Sequence, residues 1–240
     1  MADSPLITKL ALRDRLTRGE RKHLVDLVSE VKVFERGEDI VRDGSRPQTS
    51  SLIAEGFCCR YKLLGDGRRQ ISAIHIAGDF CDLHAFPLKV MDHGVMAITR
   101  CRVALVPHAR LRTLTETQPH LTRMFWLSTL VDAAAHREWI NSLGSRSAAG
   151  AMAHLFCELF VRLRAVELAD EDGCPFPLTQ QDLADALGMS LVHTNRTLRN
   201  LRQRGLAHLK DNRLNILSWD GLVKAADFDP AYLHLELEPR

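Results

Sequence analysis

The chain has 240 residues, 45% of them hydrophobic and 26% charged, with a formal net charge of +2. Such a length favours two domains over one, and such a composition favours a folded chain over a disordered one. A nearly neutral balance excludes a uniformly basic coat, so any surface for nucleic acid must be local.

The opening MADSPLITKLALRDRL is interrupted by charges, so no signal-peptide core is read in it. No apolar run reaches the roughly 18 residues of a membrane span. A cytoplasmic protein with no membrane partner is expected. Over residues 6–29, short amphipathic helices are predicted, with Leu24, Leu27 and Val28 on one face. From Val31 to about His108, short apolar runs alternate with Arg36-Gly37, Asp43-Gly44, Glu55-Gly56, Gly65-Asp66-Gly67 and Ala77-Gly78-Asp79. Turns at this spacing predict an antiparallel sandwich or barrel. Gly65-Asp66-Gly67 marks a hairpin, and VMAITRCRVALVP reads as two late strands.

A long helix is predicted over 119–141, where apolar residues recur at spacings of three and four and Pro119 is the only proline. It would span roughly 35 Å. Its stripe needs a partner, and a second copy of the chain is the economical one. Leu121, Met124, Phe125, Ser128, Val131, Ala135 and Trp139 are the candidate dimer interface. Asn141 to Ser145 reads as the hinge, 146–169 as another helix, and Ala169 to Pro177 as a charged, proline-containing loop.

Residues 178–205 read LTQQDLADALGMSLVHTNRTLRNLRQRG. Thr179 and Asp182 predict a capping-box-like helix start. Leu183, Ala184 and Leu187 form its inner face, Gly188 supplies a left-handed turn, and Ser190 caps a second helix. Between Ser190 and Arg204 there are four arginines and no acidic residue. This pattern is a helix-turn-helix with a basic recognition helix on double-stranded DNA. His193, Thr194, Asn195 and Arg196 lie in its first two turns, where recognition helices touch base edges, and Ser190 and Val192 are further DNA-binding candidates. Thr179, Gln180, Gln181, Arg199 and Arg202 are placed for phosphates. After it, LAHLKDNRLNIL predicts a wing hairpin with Lys210 and Arg213 at its tip.

This order resembles the Crp/Fnr family of bacterial transcription regulators over nearly the whole chain, most specifically in LTQQDLADALGMSLVHTNRTLRNLRQRGL. The resemblance implies an α+β fold. An antiparallel, jelly-roll-like β-roll sensor domain of the cyclic-nucleotide-binding type would occupy 1–115. A dimerisation helix and hinge would occupy 116–144, and a winged helix-turn-helix domain 145–240. It implies a homodimer on a near-palindromic operator, with RNA polymerase as a further partner and Arg196 as the base-reading arginine. Val192 stands where the family commonly has Glu, Asn195 where it often has Ser or Gly, and Thr194 and Thr197 where it has aliphatic β-branched residues.

The family's cyclic-nucleotide site has a Gly-Glu followed by an Arg-Ser pair. Here the segment reads GDFCDLHAFPLKVMDHGVMAITRC, Asp82 occupies the Glu region, and no Arg-Ser follows. Cyclic AMP is therefore not the expected cofactor. Phe80, Asp82, Leu83 and His84 are the candidate effector pocket, and no cofactor is assigned. The family's iron–sulfur members carry an N-terminal cysteine cluster, whereas the first cysteine here is Cys58. The six cysteines (Cys58, Cys59, Cys81, Cys101, Cys157, Cys174) contain no CxxC pair and read as buried, reduced thiols.

The alternative is a sensor of the same architecture whose winged domain contacts protein. It would bind haem or a metal through His75, His84, His93, His108 and Cys81, or act as a redox sensor through Cys58-Cys59 or Cys174. No dedicated metal spacing, phosphate-cradling glycine loop, HExxH or GxSxG is present, so no catalytic residues are expected.

Overall fold

The computed structural model describes residues 4–239; Met1 to Asp3, the start of the charged opening, and Arg240 lie outside the described residues. Two helices lead. α1 (Pro5–Ala11) is capped by Ser4, and α2 (Arg18–Asp26) starts in a capping box formed by Thr17 and Glu20. The strands follow as β1 (Glu30–Phe34), β2 (Asp39–Val41), β3 (Thr49–Glu55), β4 (Cys58–Leu63) and β5 (Arg69–His75). A one-turn α3 (Ala85–Leu88) precedes β6 (Gly94–Ala97) and β7 (Cys101–Pro107), the two late strands.

β7 takes β1 and β3 as antiparallel neighbours, and β6 takes β2 and β4. The two sheets run β1-β7-β3 and β2-β6-β4-β5. One core holds Val41, Ile53, Met91, Val95 and Val103. A second joins Leu6, Leu10 and Leu24 to Leu111, Leu121, Met124 and Phe125. The alternation that the sequence shows is thus resolved into two faces, each covered.

The helices α4 (His108–Thr117) and α5 (Pro119–Gly144) come next. α5 is longer than the periodicity indicates. Asn141 to Gly144, read as hinge, are helical, and the Ser145 amide still donates to the Asn141 carbonyl at 2.9 Å. The break comes at 145–147, where the Ser147 hydroxyl accepts from the Gly150 amide and starts α6 (Ala148–Ala165).

α6 is buried almost all round, through Met152, Leu155, Phe156, Leu159, Phe160 and Leu163. It carries one fully buried carboxylate. Glu158 accepts from Trp139 Nε1 at 3.1 Å, Arg162 Nη1 at 2.9 Å and the Tyr232 hydroxyl at 2.9 Å. Three donors are what makes a buried charge tolerable.

Then come β8 (Gly173–Pro175), α7 (Gln180–Leu187), α8 (Leu191–Gln203), β9 (Ala207–Lys210), β10 (Arg213–Ile216) and α9 (Trp219–Ala226). β8 corrects the expectation of a bare loop at 169–177. It is the third strand of the wing sheet, in the order β8-β10-β9. Gly173 permits the approach, because a Cβ there would lie 2.0 Å from the Leu214 carbonyl oxygen.

The chain forms two compact units. The first comprises the residues up to Lys62, Ala73–Ala133 and the tail from His234; the second comprises Leu63–Ser72 and Ala134–Leu233. The division falls within α5. No helix among the described residues is long and apolar enough to cross a membrane.

Candidate nucleic-acid interface

α7 and α8 are set by local chemistry. The Thr179 hydroxyl accepts from the Asp182 amide at 3.1 Å, and Asp182 Oδ2 accepts from the Thr179 amide at 2.9 Å, closing the capping box. Gly188 ends α7 at φ +62°, where a side chain would be strained. Ser190 then caps α8 by accepting from the His193 amide at 3.2 Å. Leu183, Ala184 and Leu187 pack inward, and from α8 so do Thr194, Thr197 and Leu201. The two threonines keep a β-branched shape, and their hydroxyls donate to the Ser190 and His193 carbonyls one turn back.

The opposite side of α8 is open. Val192, Arg196, Arg199 and Arg202 are exposed, and His193 and Asn195 half-buried. Among the described residues these three arginines enter no ion pair. Asn195 Nδ2 donates to Gln180 Oε1 at 3.1 Å, and Gln181 Nε2 donates to Asp185 Oδ1 at 2.7 Å. Thr179, Gln180 and Gln181 are exposed beside them.

Two carboxylates on α7 would repel phosphate. Both are neutralised from the Leu63–Ser72 hairpin: Arg69 donates to Asp182 Oδ1 at 2.6 Å and to Asp185 Oδ2 at 2.7 Å. Burial pushes the Asp182 carboxyl up, but the Thr179 bonds and Arg69 outweigh it and hold it below the usual carboxylate range.

At the wing tip, Asp211 and Asn212 are both left-handed, at φ +53° and +57°, making a two-residue hairpin turn. Lys210 is exposed. Arg213 is instead engaged, with Nη2 at 2.6 Å from both oxygens of Asp170.

The effector-pocket candidates fall into two groups. Phe80 and Leu83 pack on the core, Phe80 edge-on to Phe125 with centroids 5.6 Å apart. Asp82 is fully buried; one oxygen accepts from the Ser51 amide, and the other meets no partner. Burial drives its pKa to about 6, against the Ser51 bond and the Arg60 charge.

His84 lies 5.0 Å from His93, ring to ring, and neither Nε2 finds a partner. Burial, then Arg60 and His93, press His84 down to about 4. Arg60 itself donates to Asp132 Oδ2 and to the Cys81 carbonyl, each at 3.1 Å. Arg60 and Asp132 are not among the candidates that the sequence offers. A salt-bridging pair 72 positions apart leaves no local signal.

His75 faces Asp79, and His108 faces Ser50 and Phe86. Among the described residues, no three His, Cys, Asp or Glu side chains converge as a metal site would require. All six thiols are buried, and burial pushes Cys157 and Cys174 up to about 12. A reactive cysteine needs the opposite environment.

On α5, the proposed dimer residues Leu121, Met124, Phe125, Val131 and Trp139 are buried within the single chain, and Ser128 and Ala135 half-buried. Exposed on α5 are Pro119, Arg123, Trp126, Leu130, Ala133, Arg137, Ile140, Asn141, Leu143 and Gly144, and those from Arg123 to Ile140 recur at spacings of 3, 4, 3, 4 and 3. From Trp126 to Ile140 this is an exposed stripe at heptad spacing beside the expected face.

Comparison with known proteins agrees with this geometry. Residues 151–225 match the Crp-like helix-turn-helix domain, and residues 31–118 match the cyclic nucleotide-binding domain. The chain is 29% identical over 189 residues to the nitrogen fixation regulation protein FixK of Bradyrhizobium diazoefficiens, covering 77% of this chain and 76% of that one. It is 22% identical over 192 residues to the transcriptional activator protein FnrL of Cereibacter sphaeroides, covering 79% and 77%. The solved structure of FixK2 from Bradyrhizobium japonicum superposes with a TM-score of 0.71 at 22% identity, covering 83% of this chain and 98% of that one.

Proposed function

Because the chain belongs to the Crp/Fnr family of DNA-binding transcription regulators, we propose that it reads a near-palindromic operator as a homodimer, one α8 per half-site. The observation that carries this reading is the two-sidedness of α8. Its inward threonines are satisfied, while Val192, Arg196, Arg199 and Arg202 stand exposed without an ion partner. Arg196 reads a base edge; Arg199, Arg202, Lys210 and the Thr179–Gln181 end of α7 hold phosphates.

The second copy docks along Trp126, Leu130, Ala133, Arg137 and Ile140 of α5, since the neighbouring stripe is already filled by the chain's own core. Pairing these helices sets the two α8 helices about one DNA turn, roughly 34 Å, apart. RNA polymerase is the partner through which a bound dimer acts, in the cytoplasm.

The β-roll serves as the sensor. Cyclic AMP is a poor fit, because Arg60, the arginine whose charge reaches Asp82 and His84, is spent on Asp132 and the Cys81 carbonyl. The His84–His93 pair, whose Nε2 atoms meet no partner among the described residues, favours haem as the second reading. A Soret band from the purified protein would support haem, and a featureless visible spectrum would remove it.

Selection of genomic fragments on the full-length protein, followed by sequencing, tests the main reading. A recurring two-fold motif with half-sites about 10 base pairs apart is expected. Fragments without a shared motif would overturn it.

A further inference from the structure

Val192 is the most exposed of the large hydrophobic side chains among the described residues, at 81% of its full surface. It sits in the first turn of α8, directly after Leu191. At that exposure, burial within the free chain gains it little. The capped start of α8 holds it rigidly, and a β-branched side chain is stiff at χ1, so its two methyl groups are presented in one arrangement.

Its position relative to Arg196 decides what it can meet. The two are four residues apart and share one line along the helix. At 1.5 Å per residue they are separated by about 6 Å along the axis. Bases stack about 3.4 Å apart along each strand. If Arg196 reaches one base pair, Val192 therefore reaches another, one or two steps away. Valine has no donor or acceptor, and the one apolar group on a base edge in the major groove is the C5-methyl of thymine.

We infer that Val192 is a specificity-determining residue that selects thymine by methyl contact, within two steps of the base pair that Arg196 reads. This inference rests on the reading of α8 as the recognition helix. It also gives position 192 a positive role: the lost carboxylate is replaced by an apolar contact with a different base.

The test uses the full-length protein and a duplex carrying the half-site that it selects from a randomised pool. Each thymine in turn is replaced by deoxyuridine, which removes only the C5-methyl. One such replacement per half-site should weaken binding about fourfold, the effect of one buried methyl group. Val192→Ala should bind the parent duplex more weakly and be insensitive to that replacement. Val192→Glu should prefer cytosine at the same position, because a carboxylate accepts from the cytosine amino group.

The assignment is overturned if every thymine can be replaced without loss, if the half-site holds no thymine within two steps of the Arg196 contact, or if Val192→Ala keeps the parent's sensitivity. A selected sequence that depends on Arg196 but on no thymine methyl removes the Val192 role alone. A pool that yields no preferred sequence removes the reading of α8 as well.

Discussion

Asn195 donates from Nδ2 to Oε1 of Gln180 at 3.1 Å, joining the second turn of α8 to the first residue of α7. The bond fixes which way both amides face before DNA arrives. It leaves the Gln180 amino group to donate elsewhere and the Asn195 oxygen to accept. Replacing Asn195 and Gln180 by alanine, singly and together, should show a coupling of about 0.5–1.5 kcal/mol in operator binding. Strictly additive losses would mean that the bond does not order the interface.

The dimer face is tested by two kinds of substitution on α5. Leu130→Asp changes an exposed seam residue and should yield a folded monomer by sedimentation, with operator binding lost. Met124→Asp places a charge in the fully buried core and should unfold the chain instead. A Leu130→Asp protein that still sediments as a dimer would move the interface elsewhere.

Asp82 links the β-roll to pH. Its pKa of about 6 lies above the ordinary value of 3.8, so the protonated form is favoured by folding. That stabilisation is complete below about pH 4 and is lost as pH rises through about 6. Asp82→Asn retains an acceptor for the Ser51 amide and removes the buried charge. It should be more stable than the parent at pH 7 by about 1–2 kcal/mol in urea titrations, and not at pH 4. His84 has the reverse sign. Its neutral form contributes above the ordinary 6.5, and the contribution is lost as pH falls through about 4. An Asp82→Asn protein that gains nothing at pH 7 would contradict the cost assigned to that carboxylate.

Arg199 is exposed and basic, one turn after Arg196, and enters no ion pair among the described residues. As a phosphate contact it carries no sequence information. Arg199→Ala should weaken operator and random duplexes alike and reduce the salt slope by about 1. An unchanged slope in a salt titration would rule out that role.

Much of the DNA-binding unit is legible because its signals are local. Thr179 and Asp182, Gly188, and Ser190 each act within three or four residues, and each does in the structure what its chemistry implies. β8 is illegible for the opposite reason. Its three residues, Gly173–Pro175, are strand only because they pair with Arg213–Asn215, about forty positions away. The end of α5 misleads because Gly144 looks like a stop, yet the backbone continues helical to it.

On α5 the periodicity reveals an apolar face broad enough for two contacts. Which stripe meets the chain's own α1, α2 and α4 is a tertiary matter, and Met124 and Phe125 prove to be the inner one. The Arg60–Asp132 pair is hidden likewise, because its two members come from distant elements.

The central claim is that α8 reads sequence and does not merely attract DNA. Its most direct measurement is the affinity of parent and Arg196→Ala proteins for the selected operator and for a scrambled duplex of equal length and salt. The expected result is a loss of about 1–3 kcal/mol on the operator with little change on the scrambled duplex. Equal losses on both would show that Arg196 acts as a charge alone and would contradict base reading by α8.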